Sequence, residues 1–238
     1  MKKAIVIGAT SGIGRQLALL LADKGYRVGA TGRRAERLKQ LRSERSDHIV
    51  TSAFDVTDTH ELTKALDELQ DQLGGLDLVV ISSGVGDFNK RLDFAIEKKT
   101  IDVNVTGFTE AADWAFTFFT KQASGHLAAI TSIAGLRGNA HAPAYNATKA
   151  FQINYLEGLQ QKAKKLSLPV CVTDIRPGYV DTDMAQGDGM FWVAPVEKAA
   201  HQIMDAIEER KSVVYITRRW AVIAFLLKIL PKSIYRRM

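Results

Sequence analysis

With 238 residues, 46% apolar and 24% charged, the chain is long enough for one α/β domain with a sizeable core, and its composition excludes a disordered or low-complexity polypeptide. A single cysteine excludes an intrachain disulfide, and the apolar setting LPVCVTDI predicts that Cys171 is a buried structural thiol; the histidines at 48, 60, 126, 141 and 201 lack metal-ligand spacing, so no metal is expected. The net charge of +6 is concentrated at the end of the chain, because from Arg210 onward there are eight Lys/Arg and no Asp/Glu while the remainder is near neutral.

KKAIVIG reads as a short buried strand that runs into GATSGIGRQLALLLADKGY, a glycine turn followed by an amphipathic helix. Glycines at 8, 12 and 14 let the backbone pass close to a pyrophosphate while the first helical N–H groups point at it. The spacing is G-x-x-x-G-x-G, not G-x-G-x-x-G; a glycine turn alone is weak evidence, and its position at the first strand-to-helix junction strengthens it. MKKAIVIGAT carries no cleavage-type segment, so no secretory leader and a cytoplasmic location are expected. The second strand, YRVGATG, ends at Arg33 and Arg34. An acidic residue here takes the ribose hydroxyls of NAD, whereas arginine pairs with the 2′-phosphate of NADP; NADP(H) is therefore expected over NAD(H), with Arg15 as a third cation. The alternative is a solvated start to the helix RRAERLKQLRSERSD.

HIVTSAFDVTD gives a third strand, and the following helix has its N-cap in the Thr57 to Thr59 region. Asp55 either accepts from an adenine amino group or is a plain turn aspartate. LDLVVI is a fourth strand, apolar enough to be buried on both faces, and the small Ser82, Ser83 and Gly84 leave room across the sheet end. KKTIDVNVTGFTEAADWAFTFFTKQ is a long helical pattern broken by Asn104 and Gly107. A fifth strand, HLAAITS, brings Ser132 to a carboxyl end, where open α/β sheets hold their ligands. In the helix opened by PAYNATK, Tyr145 and Lys149 share a face four residues apart, and the ammonium is expected to lower the tyrosine toward the neutral range. LPVCVTDIRPG is strand six. YVDTDMAQGDGMFWVAP then predicts a mobile apolar flap, with Gly187 and Gly189 beside Met190, Phe191 and Trp192. The helix VEKAAHQIMDAIEERKS and the strand VVYIT complete an alternation that argues for one doubly wound parallel sheet with helices on both faces.

Together these motifs resemble the classical short-chain dehydrogenase/reductase family over roughly residues 3 to 217. IGATSGIG is similar to the family's T-G-x-x-x-G-x-G, with Ile7 in place of the threonine. The family's N-N-A-G is represented by Ile81, Ser82, Ser83 and Gly84, a departure that leaves any cofactor contact there to backbone or serine. Asn104 in DVNVTG, Ser132, and Tyr145 with Lys149 match the catalytic residues. The resemblance implies a single Rossmann-type NADP-binding α/β domain over 1–217, followed by a basic, apolar helical tail over 218–238. It implies that the cofactor meets Gly8, Thr10, Ser11, Gly12, Ile13, Gly14, Arg33, Arg34, Asp55, Val56, Ser82, Ser83, Gly84, Tyr145, Lys149, Pro177, Gly178, Val180 and Thr182, the last in the place of a threonine that contacts the nicotinamide carboxamide. Tyr145 is then the general acid, and Ser132 orients the carbonyl oxygen. Lys149 holds the nicotinamide ribose, and Asn104 seats a water linking Lys149 to solvent. A homodimer or homotetramer is implied through the long helices at about 98–121 and 145–166, which the cluster Trp114, Phe116, Phe118 and Phe119 suits.

In RRWAVIAFLLKILPKSIYRRM the apolar run from Ala221 to Leu227 is far short of the ~20 residues that span a bilayer. Trp220, Tyr235 and the flanking arginines suit peripheral contact with anionic lipid; packing as a lid over the substrate site, or in a subunit interface, is an equal alternative. No aromatic-basic motif favours nucleic acid. Two functional readings follow. One is an NADPH-dependent oxidoreductase that reduces a carbonyl, or oxidises the corresponding alcohol, on a lipophilic small molecule; the other is a non-catalytic NADP(H)-binding sensor or scaffold, against which the intact Asn104, Ser132, Tyr145 and Lys149 weigh.

Overall fold

The structure is a computed structural model that describes residues 1–185 and 190–237. In chain order it contains β1 (Lys3–Ile7), α1 (Gly12–Asp23), β2 (Arg27–Gly32), α2 (Ala35–Glu44), β3 (Ile49–Ala53), α3 (Thr59–Leu73), β4 (Leu78–Ile81), α4 (Phe94–Ile101), α5 (Phe108–Gln122), β5 (Gly125–Ile130), α6 (Pro143–Lys165), β6 (Val170–Pro177), α7 (Val196–Glu208), β7 (Val213–Ile216), α8 (Trp220–Ile229) and α9 (Lys232–Tyr235). The strands form one parallel sheet in the order β3-β2-β1-β4-β5-β6-β7. The order reverses at the β1/β4 junction, which puts a crevice at the carboxyl ends of these two strands.

Successive strand side chains point to opposite faces, so β1 feeds two cores. Ile5 and Ile7 pack with Leu62 and Leu66 of α3, Phe116 and Phe119 of α5, and Leu156 of α6; Ala4 and Val6 pack with Leu17 and Leu21 of α1 and Ile203 of α7. Cys171, expected to be buried, is only half-buried, because it opens β6 next to the Arg210 turn.

The break at Asn104 and Gly107 has a structural reason. Between α4 and α5 the helix widens over Asp102–Gly107 into a wide π-type turn. A Cβ on Gly107 would lie 2.4 Å from the Val56 carbonyl, so only glycine lets this turn meet the end of β3. The widened turn directs Asn104 inward, fully buried. The α3 N-cap is Asp58, whose carboxylate accepts from Glu61 N at 3.0 Å, within the expected stretch.

Candidate active site

A cavity of about 700 Å³ runs along the carboxyl ends of β1, β2, β4, β5 and β6. At one end lies the glycine turn. Gly8 has φ +92°, and a Cβ there would lie 2.5 Å from Ser83 N, so the turn closes onto the end of β4 only as glycine. Gly14 packs behind it, against the Gly8 carbonyl, and does not line the cavity. The N-cap of α1 is Ser11, whose side chain caps no N–H, leaving the first helical donors to face the cavity. Thr10, Ser11, Gly12 and Ile13 line this end with Ser82, Ser83 and Gly84 opposite.

Arg34 donates to Thr10 Oγ1 at 2.6 and 3.0 Å and to Ser11 Oγ at 2.7 Å. Burial, together with the neighbouring Arg37 and Arg33 charges, pushes Arg34 below the usual arginine range, which marks a convergence of guanidinium groups that an anion would relieve. Arg37 was not singled out from the sequence; it lines a smaller recess with Thr10, Ser11 and Gly12, where it lies 3.5 Å from the Asp183 carboxylate, and only its distance from the glycine turn along the chain hid it. Arg15 also lines this recess but pairs with Glu44. Arg33 lies 3.6 Å from Asp55. Asp55 does not line the cavity: its Oδ1 accepts from Thr57 N and Oγ1, the turn role, while Phe54 and Val56 line the wall beside it.

At the centre, Ser132, Tyr145 and Lys149 come together as expected. Ser132 Oγ accepts from Ala134 N at 3.1 Å, and its hydroxyl faces the Tyr145 phenol at the cavity. Tyr145 and Lys149 lie on one face of α6, with Lys149 Nζ 5.9 Å from the Tyr145 ring centre. The expected lowering of Tyr145 is not seen: burial raises its phenol, the facing Ser132 opposes this, and Tyr179 adds to the rise. Burial instead acts on the lysine, which falls to about 8 in spite of the Asp174 carboxylate.

Asn104 is not in the cavity wall. Its side chain accepts from Val85 N at 2.9 Å and donates to Val85 O at 2.7 Å and Thr148 Oγ1 at 3.1 Å, clamping the segment after β4 to α6. Gln152 bridges Lys149 and Asn104 directly. Its Oε1 accepts from Lys149 Nζ at 2.9 Å and its Nε2 donates to the Asn104 carbonyl at 2.8 Å. Ile130 O accepts from Lys149 at 3.1 Å. The sequence signal for Gln152 was available: it lies three residues beyond Lys149 on the same helix face. Two further side chains shape this region. Asn146 donates to Ala134 O and Arg137 O at 2.8 Å each, and Glu97 accepts from Ala144 N at 2.9 Å, which caps the start of α6 from α4.

The far end is apolar. Val180 pairs with Ala194, joining the two ends of the segment after β6, and Pro177, Gly178 and Thr182 line the cavity from it. Gly187 and Gly189 of the expected flap lie outside the described residues; Phe191 packs on Tyr179 and Trp220. Trp220, Ile223 and Leu227 of α8 roof this end, with Tyr235 beside them. Gly178 makes room for the roof, since a Cβ there would lie 2.1 Å from the Trp220 ring. Arg137 locks it down, donating to Leu227 O at 2.7 Å and Leu230 O at 2.6 Å, the unpaired carbonyls at the end of α8.

The glycine turn at the switch point, followed along the same crevice by Ser132, Tyr145 and Lys149, agrees with the match of residues 2–190 to the short-chain dehydrogenase family. The chain belongs to the short-chain dehydrogenase family. It is 39% identical over 188 residues to an uncharacterized oxidoreductase of Myxococcus xanthus, a stretch that covers 77% of this chain and 74% of that protein. Among solved structures, this short-chain dehydrogenase superposes on ElxO with NADP bound, with a TM-score of 0.81 and 22% identity, over 93% of this chain and 99% of that one. The closed form of a serine dehydrogenase complexed with NADP+ gives a TM-score of 0.79 and 25% identity, over 86% and 88% of the two chains. The family membership makes the protein an oxidoreductase, and the NADP-bound neighbours share its fold.

Proposed function

We propose that the protein reduces a carbonyl on a lipophilic small molecule with NADPH, or oxidises the corresponding alcohol. The observation that carries this reading is one continuous cavity with guanidinium groups at one end, Ser132, Tyr145 and Lys149 at the centre, and an apolar roof at the other. The residues suit the dinucleotide: the Gly8 to Gly14 turn and the open N-terminus of α1 suit its pyrophosphate, and Arg34 with Arg33 and Arg37 suits a 2′-phosphate, which favours NADP(H) over NAD(H). When bound, the dinucleotide would supply hydride chemistry at the carbonyl carbon.

The protein's own groups handle the oxygen. Ser132 donates its hydroxyl proton to the carbonyl oxygen and fixes its direction. Tyr145 gives its phenolic proton to that oxygen as negative charge develops; a tyrosine held protonated by burial is in the correct form for an acid. Lys149 supplies the positive charge beside the phenol that this transfer needs, and Gln152 and Ile130 hold its ammonium in place. Roofing by Trp220, Ile223 and Leu227 excludes water and selects an apolar substrate body.

NADPH oxidation measured against carbonyls of graded chain length, with NADH and Tyr145→Phe run in parallel, tests the proposal. Turnover should need NADPH, rise with substrate apolarity, and fall at least ~100-fold in the variant, the low end of a general acid's contribution. Near-normal turnover in Tyr145→Phe would refute the mechanism, and tight NADPH binding with no turnover on any carbonyl would return the protein to the sensor reading.

A further inference from the structure

The helix α8 is apolar on both sides. Trp220, Ile223 and Leu227 face the cavity and Ala224 is buried, while Val222, Phe225, Leu226 and Ile229, spaced i, i+3, i+4, i+7, lie exposed, Phe225 at 61%. Phe191 and Trp192 are also exposed and pack on Trp220 at the start of α8, at 5.1 and 6.0 Å, and Phe191 lines the cavity as well. A helix without a polar face needs a cover on each side, and here only the inner side has one.

Charge identifies the outer cover. Arg218, Arg219, Lys228, Lys232, Arg236 and Arg237 are all exposed on and beside α8, and no Asp or Glu occurs anywhere from Arg210 to Arg237. A second copy joined through this same face would press cations on cations with no carboxylate between them. An anionic bilayer offers apolar depth and negative headgroups together, and Trp192 beneath the Arg219 guanidinium is the kind of pair that rests at such a boundary. Ten helical residues rise about 15 Å, half of the ~30 Å hydrocarbon layer, so α8 lies in the interface and does not cross it.

We propose that the outer face of α8, with Val222, Phe225, Leu226 and Ile229, docks in the plane of an anionic lipid surface while its inner face roofs the cavity. The docking goes beyond the oxidoreductase reading and does not depend on turnover. Where that reading also holds, the roof that admits an apolar substrate is the element in contact with lipid.

Flotation of the full chain with vesicles of phosphatidylcholine alone, and of phosphatidylcholine with phosphatidylglycerol, tests the docking. The protein should float with the anionic vesicles, lose that binding as salt rises, and bind about tenfold or more weakly as the Val222→Glu/Phe225→Glu variant. Neither residue lines the cavity, so NADPH fluorescence titration of the variant reports an intact fold separately from lipid binding. Wild type that stays in solution with anionic vesicles overturns the proposal, as does a variant that floats equally well. A variant whose only change is a smaller size on gel filtration also overturns it, because the face then belongs to a second copy.

Discussion

The buried ammonium of Lys149 depends on two dipoles, Ile130 O and Gln152 Oε1, and Gln152 in turn is anchored to the Asn104 carbonyl in the widened turn between α4 and α5. Gln152 is thus a positioning residue for the lysine. In Gln152→Leu the charge loses one acceptor and stays buried, so the pH at which Lys149 titrates should fall further below about 8. In Gln152→Glu a carboxylate replaces the dipole and the same pH should rise. Profiles of kcat against pH, with thermal unfolding as a control, should show the lysine limb moving in opposite directions in the two variants; a drop in kcat with no movement of that limb would mean that Gln152 serves packing alone. The Tyr145 and Lys149 pair was legible because helical spacing is local, and so was Ser132, because a strand end is local. What their electrostatics would be was not: desolvation depends on everything packed around α6, and it raises the Tyr145 phenol and lowers the Lys149 ammonium. Asn104 was legible as an exception inside a helix, but its partners, Val85 and Gln152, come from other elements.

Among the elements, β5 carries a pH-sensitive contact that plays no part in the site. His126 lies buried on β5, its Nε2 2.7 Å from Thr173 Oγ1 on β6, and that hydroxyl donates to Lys211 O at the turn into β7. Because Thr173 spends its proton on Lys211, the ring donates from Nε2; burial and the nearby Arg210 favour its neutral form and lower it to about 4. An unfolded histidine titrates near ~6.5, so between about 6.5 and 4 the unfolded chain binds one more proton than the folded one, and acid destabilises the fold by about 3 kcal/mol across that window. Urea unfolding followed over this range should show the loss, and His126→Asn should flatten it. An unchanged slope in the variant would assign the acid sensitivity elsewhere. His126 offered no such signal in the sequence, where it stands as one more histidine without ligand spacing; its role depends on the register that places it opposite Cys171, beside Thr173.

For the molecule as a whole, the alternation of strand and helix patterns was enough to read the sheet, because each βα unit buries its own faces and parallel strands need crossovers. The tail was legible as a basic, apolar segment with a lid over the substrate site among its readings, but nothing local selected that reading, since Arg137 reaches carbonyls about ninety residues later. The same limit applies to assembly. In α5, Phe116 and Phe119 are core residues, whereas Trp114 and Phe118 stack on each other at 5.8 Å and are only half-buried. In α6, Phe151 is exposed and stacks at 5.6 Å on Tyr155, whose hydroxyl pairs with Asp113 of α5. The outward sides of these two long helices therefore carry aromatic rings on neighbouring turns, with their lysines gathered in the last turns, Lys121 of α5 and Lys162, Lys164 and Lys165 of α6. We propose that a homodimer, or a homotetramer built from it, forms by packing α5 and α6 of one copy on those of another. A closed two-fold contact brings each ring against apolar surface of the partner helix. Light scattering after gel filtration should give two or four times the monomer mass, and Phe151→Glu, which buries a carboxylate in that contact, should give monomer while retaining NADPH binding. A wild-type chain that elutes as a clean monomer would leave the α5 and α6 rings as ordinary surface aromatics and remove the assembly from the proposal.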